Sequence, residues 1–185
     1  TLAVRAPGAF ASIQDLGRRG WRRVGVPWAG VLAPQWLRIA NRLVGNAEHA
    51  PAIECFDGGQ QFVACDGAVR LAVAGDAQLE HLSADGRRPL AAWRSVTLAE
   101  GEALRVVHTG AGRLAVVAVL GLDGAPVLGS AATYARAALG GVDGRALQSG
   151  DRLHVAEPAP APELQLRQPP APVAGPIRVV LGPQA

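Results

Sequence analysis

The chain has 185 residues, of which 49% are hydrophobic and 18% charged, and a net charge of +3 from 18 basic and 15 acidic residues. This is enough for one domain, or for one domain and part of another, and it excludes a chain too polar to build a core. A surplus of three charges is also too small to argue for a nucleic-acid partner.

Every basic residue is arginine. The two cysteines, Cys55 and Cys65, read as buried thiols of a reduced, cytoplasmic protein rather than as a disulfide. Nothing at the start reads as a signal peptide. No apolar run approaches the roughly 20 residues needed to cross a bilayer, so no membrane partner is expected.

In chain order, Leu2 to Ala6 predicts a first strand. The stretch QDLGRRGWRRVGVPWAG follows, from Gln14 to Gly30, with four arginines, four glycines, two tryptophans and one acid, Asp15. Its charge equals that of the whole chain. Glycines free this backbone to turn, and arginines can grip a carboxylate or phosphate through two bonds. From residue types alone the segment better fits a solvated loop whose arginines pair locally, since surface charge runs are common. Asp15 is expected to hold one of them.

Pro34 to Val44 predicts a helix. Pro34 suits the first helical position and Gly45 the stop, and Trp36, Leu37, Ala40, Leu43 and Val44 form one apolar stripe. Asn41 lies beside that stripe, and Glu54 sits in the strand-like AIE run. Both are polar groups facing an interior, either as site residues or as members of a structural hydrogen-bond network.

Short valine- and leucine-rich runs follow: QQFVAC, AVRLAVAG, AWRSVTL, EALRVVH and RLAVVAVLG. They predict strands, with hairpin-like turns at Asp85-Gly86 and Glu100-Gly101. Leu114 to Leu120 reads as a buried strand. Many short strands with one main helix predict a mainly β barrel or sandwich. Gly129-Ser130 in VLGSAAT offers either an anion-binding turn or an ordinary helix cap, and Tyr134 to Leu139 predicts a second short helix. Residues 156–176 are rich in proline and alanine and predict an extended linker without helix or strand over most of its length. IRVVLGPQA, at 177–185, starts like the first strand of a further domain.

No general catalytic motif is present. The four histidines are scattered and predict no metal site, and no Walker loop, dinucleotide fingerprint or nucleophile elbow occurs.

Taken together, QDLGRRGWRRVGVPWAG, ANRLVGN, AIE, VAGD, VLGS, LGGVDGRALQSGDRL and RVVLGPQ resemble, in this order, allophanate hydrolase subunit 2. This is also called the biotin-dependent carboxyltransferase family. It includes the C subunit of bacterial 5-oxoprolinase, KipA-type regulators and part of the carboxyltransferase domain of urea carboxylase. The resemblance covers nearly all of the chain. It implies a cyclophilin-like β-barrel over 1–155 as the first half of a two-barrel protein. It implies a partner of the 5-oxoprolinase B-subunit or allophanate hydrolase subunit 1 type, and in 5-oxoprolinase a lactam-utilisation protein as the A-type component. The implied reaction is ATP-driven opening of 5-oxoproline to glutamate; biotin enters only for the carboxyltransferase alternative.

Carried over by position, the resemblance implies Asp15, Asn41, Glu54 and Asp76 as catalytic candidates. Gln14, Arg18, Arg113, Ser130 and Thr133 become substrate- or anion-binding candidates. The arginine-glycine segment becomes a site-lining loop that meets small anions rather than nucleic acid. The sequence departs from the family pattern at Ala33, where an aspartate is usual, and at Ala131 and Ala132, where Arg and Ser are usual. It also departs at Ala115 for a tyrosine and Leu120 for a glycine. These losses leave two outcomes open: a site turned to another substrate, or a KipA-like binding protein without chemistry of its own.

Overall fold

In a computed structural model, the structure describes residues 1–171, 175, 176, 179, 180, 182 and 183. Among the described residues, eleven strands and one α-helix follow in chain order: β1 Leu2–Pro7, β2 Phe10–Gln14, α1 Pro34–Val44, β3 Ala52–Phe56, β4 Gln60–Ala64, β5 Val69–Ala74, β6 Ala77–Ser83, β7 Gly86–Leu90, β8 Ser95–Leu98, β9 Ala103–Thr109, β10 Leu114–Val119 and β11 Arg152–Leu153. The fold is mainly β, as the strand spacing predicts. It consists of a six-stranded sheet in the order β11-β1-β4-β9-β6-β7 and a five-stranded sheet in the order β2-β3-β10-β5-β8. The two sheets do not join into one closed cylinder. Every strand pairing in them is antiparallel.

The core has two layers because one sheet is covered on both faces. Leu2, Val4, Phe62 and Leu104 of the six-stranded sheet meet Ile13, Ile53, Val73 and Val117 of the five-stranded sheet. On the other face of the five-stranded sheet, Leu37, Ala40, Leu43 and Val44 of α1 press on Ala52, Ala72, Ala74, Val116 and Ala118. The alanines keep that face shallow, so the helix approaches closely. All six residues of β5 and all six of β10 are therefore buried. This explains why LAVVAV is continuously apolar instead of alternating.

The helix has the bounds its sequence predicts. Pro34 opens it, and Gly45 closes it at φ 91°, sending its N–H to the Arg42 and Asn41 carbonyls. The expected helix over Tyr134–Leu139 is a single 3-10 turn at Ala135–Ala137. Ala138 adopts φ 49°, and the Tyr134 N–H bonds the Leu139 carbonyl at 2.8 Å, which closes the segment into a loop. Asp85-Gly86 does turn a hairpin between β6 and β7. Glu100-Gly101 does not, because β8 and β9 belong to different sheets.

Both edges of the five-stranded sheet are covered, which removes open strand edges from solvent. At β2, the Thr133 and Leu147 N–H groups bond the Ile13 and Ala11 carbonyls at 2.9 and 2.8 Å. At β8, a strap drawn from the proline-rich segment is fastened. Ser95 N–H donates to the Leu164 carbonyl at 2.8 Å, Leu166 N–H to Trp93 at 2.9 Å, and Arg70 Nη2 to Ala161 at 2.7 Å. Residues 156–171 contain no helix or strand. They run along the sheet rather than away from it. The strand expected over 177–185 lies largely outside the described residues.

Candidate functional site

The outer face of β2 carries Ser12 and Gln14, since Ala11 and Ile13 point into the core between the sheets. Glu54 of β3 pairs with Ser12 in register and shares that face. Two loops close over these side chains, one running from Asp15 to Ala33 and the other from Val127 to Thr133.

The loops are tied together by a hydrogen-bond knot. Asp15 Oδ1 accepts from Gly17 N–H at 2.7 Å and from the Ser130 hydroxyl at 2.6 Å, while Oδ2 accepts from Ala131 N–H at 2.7 Å. Arg18 works from the opposite polarity. Its Nε donates to the Val127 carbonyl at 3.2 Å, and its Nη2 to Ser130 and Ala132 at 3.3 and 2.6 Å. Gln14 Nε2 donates to Ser12 Oγ and to the Thr133 carbonyl, and its Oε1 accepts from Gly30 N–H. Thr133 Oγ1 donates to Ile13. Gly17 and Gly30 let the first loop cross itself. A Cβ on Gly17 would stand 2.7 Å from the Trp28 and Ala29 carbonyl oxygens, and one on Gly30 would stand 2.8 Å from Gly17 N.

Five predicted site residues thus meet in one knot: Gln14, Asp15, Arg18, Ser130 and Thr133. The roles differ from expectation in two respects. Arg18 is fully buried and grips backbone carbonyls instead of facing an open anion site. Asp15 holds no arginine; its oxygens are spent on Gly17, Ser130 and Ala131. The arginines that reach solvent are Arg19, Arg22 and Arg23, and the guanidiniums of Arg19 and Arg22 stand 5.2 and 5.1 Å from the Trp28 ring centre.

Glu54 sits at the border of this knot. It is only 4% exposed, and its Oε1 accepts from Leu32 N–H at 2.7 Å. Burial pushes its carboxyl above the usual 4.5, opposed by the Leu32 bond. Its Oε2 has no partner among the described residues. Behind it in the sheet, burial and the Glu54 charge push the Cys55 thiol far up, so that sulfur is inert as a nucleophile.

Three predicted residues lie elsewhere. Asn41 belongs to the last turn of α1 and ties down the segment after it: its Nδ2 donates to the Ala50 carbonyl at 2.8 Å and its Oδ1 accepts from Asn46 at 3.0 Å. Arg113 is exposed and forms a fork with Asp57, both bonds at 2.6 Å. Asp76 stands in the turn between β5 and β6, exposed, at a cavity of about 660 Å³ beside the start of α1. That cavity holds what the sequence did not signal: Trp36 and Trp93 brought together from a helix and a turn. Trp93 has φ 62°, which no sequence pattern announces.

The departures from the family pattern also have places. Ala131 and Ala132 are buried, and their N–H groups bond Asp15 and Ser130. Ala33 is the residue before α1, with no side-chain cap. Ala115 lies in the core between the sheets, and Leu120 packs against the cluster under the helix.

Comparison with known proteins adds four findings. A family model described as carboxyltransferase domain, subdomain A and B, matches residues 24–185. The 5-oxoprolinase C subunit of Escherichia coli K12 is 37% identical over 158 residues, which cover 83% of this chain and 49% of that protein. Urea amidolyase of Lachancea kluyveri is 32% identical over 176 residues, covering 91% of this chain and 9% of that protein. Among solved structures, the urea carboxylase of Kluyveromyces lactis superposes with a TM-score of 0.78 at 32% identity, over 85% of this chain and 14% of that one. The chain thus spans about half the length of the 5-oxoprolinase relative and a small part of the urea enzymes.

Proposed function

Because the chain belongs to the carboxyltransferase-domain family of subdomains A and B, we propose that it is the part of an ATP-dependent 5-oxoprolinase that corresponds to the C subunit. The partner would be a B-type protein, with a lactam-utilisation protein of the A type completing a cytoplasmic enzyme. The observation that carries the reading is Glu54, a nearly buried carboxyl held by one N–H, raised in pKa, with its second oxygen unpaired.

Opening a lactam adds water to the carbonyl, breaks the C–N bond and leaves the nitrogen needing a proton. A carboxyl poised above its ordinary pKa can take the proton from water and return it to nitrogen. Leu32 N–H would keep Glu54 Oε1 fixed while Oε2 faces the substrate. The Asp15–Arg18 knot would set the position of both loops and does not touch substrate. ATP would supply the driving force for ring opening. The residues here do not fit a nucleotide: Arg18 is fully buried against carbonyls, and Arg19 and Arg22 stand against Trp28. We therefore assign ATP to the partner proteins.

The test uses the full-length protein assembled with its B-type and A-type partners. Wild type should release glutamate from 5-oxoproline only with ATP, and Glu54→Gln should lower kcat on the order of 10²-fold with assembly unchanged. An assembled wild-type complex that makes no glutamate defeats the proposal. The superposition on urea carboxylase favours a second reading, a carboxyltransferase part in which biotin carries the carboxyl group. Urea- and biotin-dependent ATP turnover by the complex would select it. The alanines at 131 and 132 favour a KipA-like regulatory role, which assembly without either activity would select.

A further inference from the structure

The cavity beside the start of α1 is separate from the knot and has the opposite character. Trp36 and Trp93 meet edge to face, with ring centres 5.8 Å apart and planes at 87°. Both line the cavity, and Pro169 and Pro170 of the strap supply further apolar wall. The corner is built at a cost. Trp93 holds a left-handed backbone, which a bulky side chain avoids unless its surroundings impose it. Those surroundings are visible: Trp93 N–H donates to the Val73 carbonyl at 2.7 Å, and Leu166 N–H donates to the Trp93 carbonyl at 2.9 Å. Trp36 lies over Gly75, where a Cβ would come within 3.2 Å of its ring.

The charged group in this apolar corner is Asp76. A Cβ on Gly110 would collide with Asp76 Oδ2, so the glycine leaves the carboxylate its place. The Asp76 carboxylate has no hydrogen-bond or ion-pair partner among the described residues, unlike those of Asp15, Asp57 and Asp151. An occupant that displaces water from this carboxylate must bring a positive charge to replace it. Indole walls favour the same sign, since the aromatic face carries negative potential. A cavity of about 660 Å³ lies within the range of small-molecule sites.

We propose that this cavity binds a small organic cation, with its alkyl body against the Trp36–Trp93 corner and its ammonium charge on Asp76. The proposal is independent of the 5-oxoprolinase reading, which rests on Glu54; Asp76, a catalytic candidate by resemblance, lies outside the knot at this cavity.

The probe is choline, set beside its uncharged analogue 3,3-dimethylbutanol, and acetate as the anion control. Indole N–H signals in ¹⁵N NMR resolve the four tryptophans, assigned through Trp36→Phe and Trp93→Phe. Choline should shift the Trp36 and Trp93 signals in a saturable way, with a Kd on the order of 1 mM, and leave Trp21 and Trp28 in place. 3,3-Dimethylbutanol should bind about tenfold more weakly, and acetate not at all. Asp76→Asn, at an exposed position that should not disturb folding, should cost choline about tenfold and the neutral analogue nothing. Three results overturn the proposal: no saturable shift with choline, equal binding of the two analogues, or choline binding unchanged in Asp76→Asn. Shifts confined to Trp21 and Trp28 would overturn it too, by moving the cation to the arginine-rich loop.

Discussion

Asp15 and Asp76 carry the same side chain in opposite settings. Asp15 is locked between two loops with both oxygens committed to Gly17, Ser130 and Ala131. Asp76 stands exposed beside two indoles, its carboxylate without a partner among the described residues. The first setting spends polar groups on one another and yields a rigid frame. The second leaves a charge unspent and yields a place for something else. The distinction teaches that a cluster of polar site candidates can be saturated by the fold itself, so chemistry must be sought where a polar group retains an unused atom. In the knot two such atoms remain: Arg18 Nη1, buried without a partner, and Glu54 Oε2, at its border.

The strongest way to break this distinction is to remove the knot's cation. Arg18→Ala would strand the buried Ala132 carbonyl, take one of two bonds from each of the Val127 and Ser130 carbonyls and open a void, and should cost about 2–5 kcal/mol. Urea unfolding of wild type and variant measures it. A loss below about 1 kcal/mol would mean that water replaces the guanidinium easily and that the knot is not a frame.

How much of this was legible in the sequence follows from which physical signal each element carries. The helix was readable to the residue, because proline, glycine and a helical stripe mark both ends and one face. β10 was readable as a buried run. β2 was not named as a strand, since FASIQ has a single β-branched residue and gains its strand character from pairing with β3. β7, with the sequence GRRPL, is an edge strand with four exposed residues and carries no apolar alternation at all. The gathering of Gln14, Asp15, Arg18, Ser130 and Thr133 followed from the family resemblance. That Arg18 is the buried one of four neighbouring arginines did not, because nothing local distinguishes it from Arg19. The Trp36–Trp93 corner depends on a left-handed residue and a strap more than seventy positions downstream, which no local pattern encodes.

A smaller effect sharpens the contrast from the Glu54 side. Its folded pKa is raised, so its contribution to stability is fully present below the ordinary 4.5 and is lost as pH rises through the folded value. Gln keeps the oxygen that accepts from Leu32 N–H and never ionises. Glu54→Gln should therefore match wild type near pH 4 and be the more stable protein at pH 8. Urea midpoints at pH 4, 6 and 8 read the difference. A constant offset across that range would show that Glu54 does not change charge there.

The smallest expected effect lies at Ala33, on the short stretch that joins the two regions. Leu32 before it bonds Glu54, and Gln35 and Trp36 after it line the tryptophan cavity. Ala33 accepts from the Trp36 and Leu37 N–H groups through its carbonyl, yet offers no side chain to the first turn of α1. An aspartate there would accept from the Gln35 or Trp36 N–H and place negative charge at the positive end of the helix. Ala33→Asp should stabilise the protein by about 0.5–1 kcal/mol, seen as a melting point higher by roughly 1–4 °C. It should also add a second carboxylate near the cavity mouth, so choline binding should tighten while the Glu54 pH dependence stays as in wild type. If stability falls instead, the backbone at φ −116° and ψ 79° does not admit a cap, and the joining stretch is shaped by the two regions it connects rather than by the helix it begins.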